Sequence, residues 1–216
     1  IRIQIENSIY DRLMAESVRY AIISLPYTIN RMNLIDIQSR ITNIAKGKIS
    51  EKIFLHFCDL NEIPVKTKNC ETPFYLPDKR DFILGREEWD IKNNFLRHDG
   101  DILLTEDYLN LPGLVPNRGS WDQWSKKNSC LHAPETESVC YLFSFMKGWK
   151  GKIPFVSIGI SDDQSAFLIK LIQSSGIKEN PYQEKWFWSK MTKLGNGIPF
   201  TYLLNFHPEL ILCGLA

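Results

Sequence analysis

No stretch of this sequence is long and apolar enough to cross a bilayer. The longest apolar runs are AIISL at 21–25 and ELILCGL at 209–215, well short of the ~18–20 residues a spanning helix needs. Cysteine is sparse and scattered: Cys58, Cys70, Cys130, Cys140 and Cys213, with no CxxC pair. Cys130, His132 and Cys140 supply at most part of a zinc site, because structural zinc needs four ligands in tighter pairs. Reduced thiols in a cytoplasmic setting are the expectation. An excess of either charge is also missing, since 26 Lys and Arg face 25 Asp and Glu for a net +1. No global basic field advertises nucleic acid, although a local cleft can be positive on a neutral protein. There is no Gly-rich phosphate loop, GxSxG or HExxH, which argues against P-loop, α/β-hydrolase and zincin chemistry. Asp99 and Asp101 resemble a fragment of a calcium loop whose remaining spacing is absent. No internal repeat or low-complexity segment occurs.

What remains is an ordinary globular composition, 44% apolar and 24% charged over 216 residues, enough for one domain with a real core. Residues 8–24 read as a helix that Pro26 ends. Leu34, Ile37, Ile41 and Ile44 recur at helical steps over 31–46, and Gly47 supplies a stop. Ser50 then caps a third helix through residue 62, with Ile53, Phe57 and Leu60 on one side. After Pro64 the period changes to two: VKTKN (65–69), then RDFIL and EEWDIKNNF on either side of Gly85-Arg86. Residues 97–137 are irregular. VCYLFSFM (139–146) and IPFVSIGI (153–160) read as buried strands. Ser161 and Gln164 form a capping box for a helix ending at Gly176. YLLNF and ELILCG read as closing strands. Helices, then strands, then a mixed half make an α/β (α+β) domain: a central mixed sheet flanked by helices. Its expected parts are a helical N-terminal extension (1–48), an αβββ core (49–95), an irregular insertion or recognition loop (97–137) and a C-terminal αβ part (139–216).

The hairpin carries the chemistry. A two-residue Gly-led loop suggests a II′ turn. Leu84 then pairs with Glu87, Ile83 with Glu88, Phe82 with Trp89 and Asp81 with Asp90. Alternation puts Phe82, Leu84, Trp89 and Ile91 on an apolar face, and Asp81, Glu88, Asp90 and Lys92 on the other. Two carboxylates ~5 Å apart repel by about 3 kcal/mol at an effective dielectric of ~20. A proton, the lysine or a divalent cation must offset that. The plain alternative is a solvated sheet face with a surface ion pair worth ~0–1 kcal/mol.

Asp81, an eight-residue gap and Asp90-Ile91-Lys92, on a hairpin that follows a helix and a strand, resemble the PD-(D/E)XK nuclease superfamily, which includes type II restriction endonucleases. The resemblance covers residues 49–95. It implies a restriction-endonuclease-like core of helix, three-stranded meander, helix and strand. It also implies phosphodiester hydrolysis in double-stranded DNA, with Asp81 and Asp90 holding Mg²⁺ (Mn²⁺ substituting), Glu51 assisting through water and Lys92 positioning the nucleophile. A homodimer is implied because two sites cut two strands. The literal Pro-Asp pair is Pro77-Asp78, so Asp78 competes with Asp81 as first ligand; Asp81 is favoured because it begins a strand.

Lys66, Lys68, Lys79, Arg80, Arg86 and Arg97 are candidate contacts to the DNA backbone, with solvated surface charge as the alternative for each. Arg118, Lys126 and Lys127, interleaved with Trp121 and Trp124 in RGSWDQWSKKN, suggest a recognition or dimer loop. Trp186 and Trp188 read as stacking residues or, more simply, as core. His56 is expected to be an ordinary helix histidine, and His98 has no assigned role. Two other readings remain: a non-catalytic DNA-binding or DNA-element control factor, and a metal-dependent phosphoesterase acting on a small molecule.

Overall fold

The computed structural model describes residues 1–28, 36–68, 70, 80–96, 115–116, 129–130, 139–147, 149–150, 153–173, 185–205 and 209–215. Strand β1 (Arg2–Ile3) leads into helix α1 (Asn7–Thr28) and helix α2 (Ile37–Leu60). The meander follows: β2 (Val65–Lys66), β3 (Phe82–Leu84) and β4 (Glu87–Leu96). Beyond it lie β5 (Val115–Pro116), β6 (Ser129–Cys130), β7 (Val139–Lys147), β8 (Trp149–Lys150), β9 (Ile153–Pro154) and β10 (Val156–Gly159). Helices α3 (Asp162–Gln173) and α4 (Lys185–Leu194) and strands β11 (Thr201–Leu204) and β12 (Leu210–Leu215) complete the order.

Six strands form one mixed sheet in the order β1-β12-β7-β4-β3-β2. Only β4 and β7 run parallel; the other pairs are antiparallel. Helices α1 and α2 pack on each other and on one sheet face. Tyr10, Met14, Val18, Ile22 and Leu25 meet Ile41, Ile49 and Ile53, and Phe82, Ile91, Met146 and Leu210 come from the sheet. The segment expected as an N-terminal extension therefore supplies an edge strand and half of the helical core. The 153–160 segment, expected as one buried strand, divides. Its first part pairs with β8, and β10 pairs with β11 in a separate ribbon.

Three helix boundaries differ from expectation. Helix α1 continues through Pro26 to Thr28, where a proline in the last turn forgoes a single N–H. Asp36 caps α2, its carboxylate accepting from the Gln38 and Ser39 amides at 3.1 and 2.9 Å. The helix then runs unbroken across Gly47. A helical glycine costs only ~1 kcal/mol, and burial of Ile37, Ile41, Ala45, Ile49 and Ile53 along one continuous stripe outweighs it. Ser50 is consequently no cap. It is fully buried, and its hydroxyl donates to Gly47 O at 2.7 Å. The capping box of α3 forms as read: Ser161 Oγ accepts from Gln164 N, and Gln164 Oε1 accepts from Ser161 N. Its stop at Gly176 lies outside the described residues.

The hairpin follows the expected register at Phe82–Trp89, Ile83–Glu88 and Leu84–Glu87. Gly85 has φ +66° and Arg86 a negative φ, the sign pattern of a II′ turn. Phe82, 1% exposed, fixes this hairpin to the helical layer. Its ring lies 4.8 Å from that of Phe54 on α2 and stacks at 6.1 Å on Trp89. Truncation of Phe82 removes the contact that sets the distance between α2 and the acidic end of the hairpin. Phe82→Ala is expected to cost about 3–5 kcal/mol, read as a lowered urea midpoint with an unchanged slope.

Candidate active site

Asp81 stands just before β3, where the ladder ends. Its amide donates to Trp89 O at 2.8 Å, so the recorded pairing stops at Phe82–Trp89 and Asp81 does not extend it as a regular partner of Asp90. The side chain compensates: Asp81 Oδ2 accepts from the Ile91 amide at 2.8 Å. That bond reaches over Asp90 and holds the first acid against the backbone of the D-x-K strand. Oδ1 accepts no hydrogen bond from the described residues.

Asp90 and Lys92 sit side by side on β4, and the Lys92 ammonium donates to Asp90 Oδ2 in a close ion pair. Parallel pairing with β7 places Tyr141 beside Asp90 and Phe143 beside Lys92. Tyr141 and Phe143 form a second small apolar cluster on this face, and the Lys92 Nζ lies 5.9 Å from the Tyr141 ring centroid. Asp90 is only 7% exposed. Asp90 is therefore not on a solvated face, and the partly shielded Lys92 ammonium faces the Tyr141 ring. Across the sheet Phe82 and Ile91 are core, with Leu84 and Trp89 packed on them, as the alternation required.

Helix α2 adds Glu51. Both its oxygens are taken by the Lys48 ammonium, at 2.7 and 2.5 Å. Lys48 was not among the expected site residues, because a helix stop at Gly47 would leave it between helices. Its i,i+3 spacing to Glu51 is the signal an unbroken helix would have given. Lys48 Nζ also lies 4.6 Å from the Tyr20 ring centroid on α1. Burial pulls the Lys48 ammonium down, but Glu51, Tyr20 and Asp81 outweigh it and hold it above its ordinary value.

Electrostatics joins these groups into one site. Burial, then the Glu51 and Asp90 carboxylates, push the Asp81 carboxyl well above its usual range; the Ile91 amide and Lys92 oppose this without reversing it. Once Asp81 is ionised, Glu51, Asp81 and Asp90 supply three negative charges against two from Lys48 and Lys92. Among the described residues no three His, Cys, Asp or Glu side chains converge as a ready metal cage. One unit of surplus negative charge, and an Asp81 Oδ1 that accepts no hydrogen bond among the described residues, nonetheless fit a single hard cation. Mg²⁺ usually takes one or two carboxylates and keeps its waters.

The remaining candidates divide. Arg80 forms a close ion pair with Glu88. Arg86 is exposed in the turn, and Lys66 and Lys68 are exposed on and after β2. On α4, Phe187 and Met191 are buried and Trp188 packs on the core, while Trp186 is 45% exposed. His56 is half-buried on α2. Asp78, Lys79, Arg97, His98, Arg118, Trp121, Trp124, Lys126, Lys127 and His132 lie outside the described residues. No helix among the described residues is long and apolar enough to cross a membrane. No family model, curated protein or solved structure matches this chain.

The state of Asp81 has a consequence for stability. Its carboxyl titrates higher in the folded protein than the ~3.9 of an unfolded chain. The folded state therefore holds a proton that the unfolded state has released, and stability falls as pH rises from about 4 through the folded value. Asp81→Asn keeps an oxygen for the Ile91 amide and removes the titration. In metal-free buffer the variant is expected to be more stable than wild type at pH 7.5 and indistinguishable below pH ~4. Denaturant midpoints across that range are the measurement, and parallel pH dependences would refute the assignment.

Proposed function

We propose that the chain is a Mg²⁺-dependent endonuclease of the PD-(D/E)XK type that hydrolyses phosphodiester bonds in double-stranded DNA. The observation that carries this reading is the Asp81 carboxylate bonded to the backbone within Asp90-Ile91-Lys92. It joins the first acid and the D-x-K triplet in one half-buried site. The element order supports the same reading. A helix is followed by the antiparallel meander β2–β3–β4, the first acid immediately precedes the middle strand, and the D-x-K lies on the third. A restriction-endonuclease-like core, with β7 alongside β4 as its later strand, is part of the proposal.

In this reading Asp81 and Asp90 hold the cation. When bound, Mg²⁺ would supply Lewis-acid stabilisation of the phosphoryl charge and a more acidic water. Lys92 is steadied by the Asp90 carboxylate and the Tyr141 ring, so its ammonium is fixed before substrate arrives. That fixed donor orients the attacking water and stabilises negative charge developing on the phosphoryl oxygens. The water oxygen bonds to phosphorus as the opposite phosphorus–oxygen ester bond breaks, giving a phosphate monoester and a free hydroxyl. Tyr141 and Phe143 cover the same face and limit bulk water beside the ion pair, which strengthens its field. Arg86, Lys66 on β2 and Lys68 just after it offer exposed positive charge for the DNA backbone. Homodimerisation, which would bring two sites to two strands, belongs to the same proposal.

The test combines cleavage and binding. Asp90→Ala and Lys92→Ala should each lower Mg²⁺-dependent plasmid cleavage by more than about a hundredfold, while DNA retention in a gel-shift assay with Ca²⁺ or EDTA largely survives. Wild-type protein that leaves plasmid and genomic DNA intact with Mg²⁺ and Mn²⁺ yet binds DNA would establish a non-catalytic binding factor instead. Turnover of a small phosphoester without DNA cleavage would establish a phosphoesterase.

A second measurement needs no turnover. A ligand that binds only the folded state raises the melting temperature. Addition of 10 mM Mg²⁺ (a concentration roughly tenfold or more above a weak Kd) should raise the Tm of wild type by a few degrees and leave that of Asp90→Ala unmoved.

A further inference from the structure

Glu51 is the third carboxylate of the site and the only one supplied by a helix. Both of its oxygens are engaged by one ammonium, Lys48 Nζ, at 2.7 and 2.5 Å. The pair is well shielded, with the two side chains 22% and 13% exposed. It lies on a helix that runs without interruption from Ile37 to Leu60, so the backbone beneath it is rigid. The Tyr20 ring, 4.6 Å from Nζ, holds the ammonium from the α1 side. Lys48 is thus gripped by a carboxylate and an aromatic face at once.

We propose that Lys48 is the positioning residue that keeps Glu51 out of the metal's ligand set, leaving a divalent-cation site built on Asp81 and Asp90 alone. This rests on the two-carboxylate reading above and adds what restricts it to two. With Lys48 in place and Asp81 ionised the five groups carry −1, which one divalent ion converts to +1. Without the lysine they carry −2, and Glu51 is free to turn toward the cation. Lys48 therefore weakens cation binding, and a weaker site gives up its ion more readily.

The prediction is a set of Mg²⁺ affinities, measured by calorimetric titration of MgCl₂ into metal-free protein without DNA. One unit charge several ångströms from a divalent ion in a partly screened site is worth on the order of a tenfold change in affinity. Lys48→Met should bind Mg²⁺ roughly tenfold more tightly than wild type, and Glu51→Gln roughly tenfold more weakly. Lys48→Arg, which keeps the charge, should match wild type. The double variant Lys48→Met/Glu51→Gln restores the −1 balance and should return to the wild-type value. It leaves neither charge unpaired, so it also serves where Lys48→Met does not fold.

Glu51 as a direct ligand makes the opposite prediction: the double variant would stay as weak as Glu51→Gln, and that result would overturn the proposal. So would weaker binding by Lys48→Met. If Asp90→Ala abolishes Mg²⁺ binding while the Lys48 variants bind like wild type, the role of Lys48 fails and the two-carboxylate site stands. If wild type and Asp90→Ala give the same isotherm, the two-carboxylate site fails and the role of Lys48 falls with it.

Discussion

A carboxylate pressed into a half-buried site beside two others must be held there against its own repulsion. Much of this molecule is arranged around that constraint. Asp81 is secured by the Ile91 amide, a contact that exists only because β3 and β4 are joined by a two-residue turn. Asp90 is balanced by Lys92 on its own strand, and Lys92 has a packed neighbour because β7 runs parallel alongside. Glu51 is balanced by Lys48, and the two meet only because α2 does not break. Asp81 and Asp90 are answered from β4 and Glu51 from α2, so the site joins helix and hairpin, with β7 packed alongside. Phe82 is the apolar counterpart: it sits next to Asp81 in sequence and bonds the same hairpin to α2 by burial.

The hairpin was the most legible part of the sequence. Period-two alternation in RDFIL and EEWDIKNNF, a glycine demanding positive φ and the two-residue loop are local signals, and they fixed the register of three residue pairs. The capping box at Ser161 was readable for the same reason. The helical layer was less so. Gly47 and Ser50 look like a stop and a cap when weighed by propensity, but the buried stripe across them is a tertiary effect that propensity does not contain. That error concealed Lys48. The irregular step at Asp81 was also out of reach, because it depends on where the ladder ends rather than on any residue preference. The burial of Asp90 depends on β7, about fifty residues downstream in sequence; nothing in the hairpin alone tells a packed polar face from a wet one.

Chemistry of this kind separates two tasks that one residue might otherwise perform. Asp81 is held by backbone, so its place does not depend on the charge of its neighbours. Lys92 is held by a side chain, so its orientation does depend on Asp90. Removing Asp90 therefore loosens the lysine as well, whereas removing Lys92 leaves both acids in position. The two losses are coupled in one direction only, and their effects should not be treated as independent contributions.

Strand β12 lies between β7 and β1, pairing Leu210 with Met146 on one side and with Ile3 on the other. The sheet is thus joined across some of the longest sequence separations the described chain contains. Contacts of that kind must wait for loop closure before they return any energy. The helical pair and the hairpin are local enough to assemble early, and the acidic end of the hairpin with them. The flank of β7 carrying Met146 stays uncovered until β12 arrives. During synthesis the charged centre can therefore exist well before the sheet that shelters it is closed, and the edge most open to misassociation in that interval is the flank of β7 that faces away from β4.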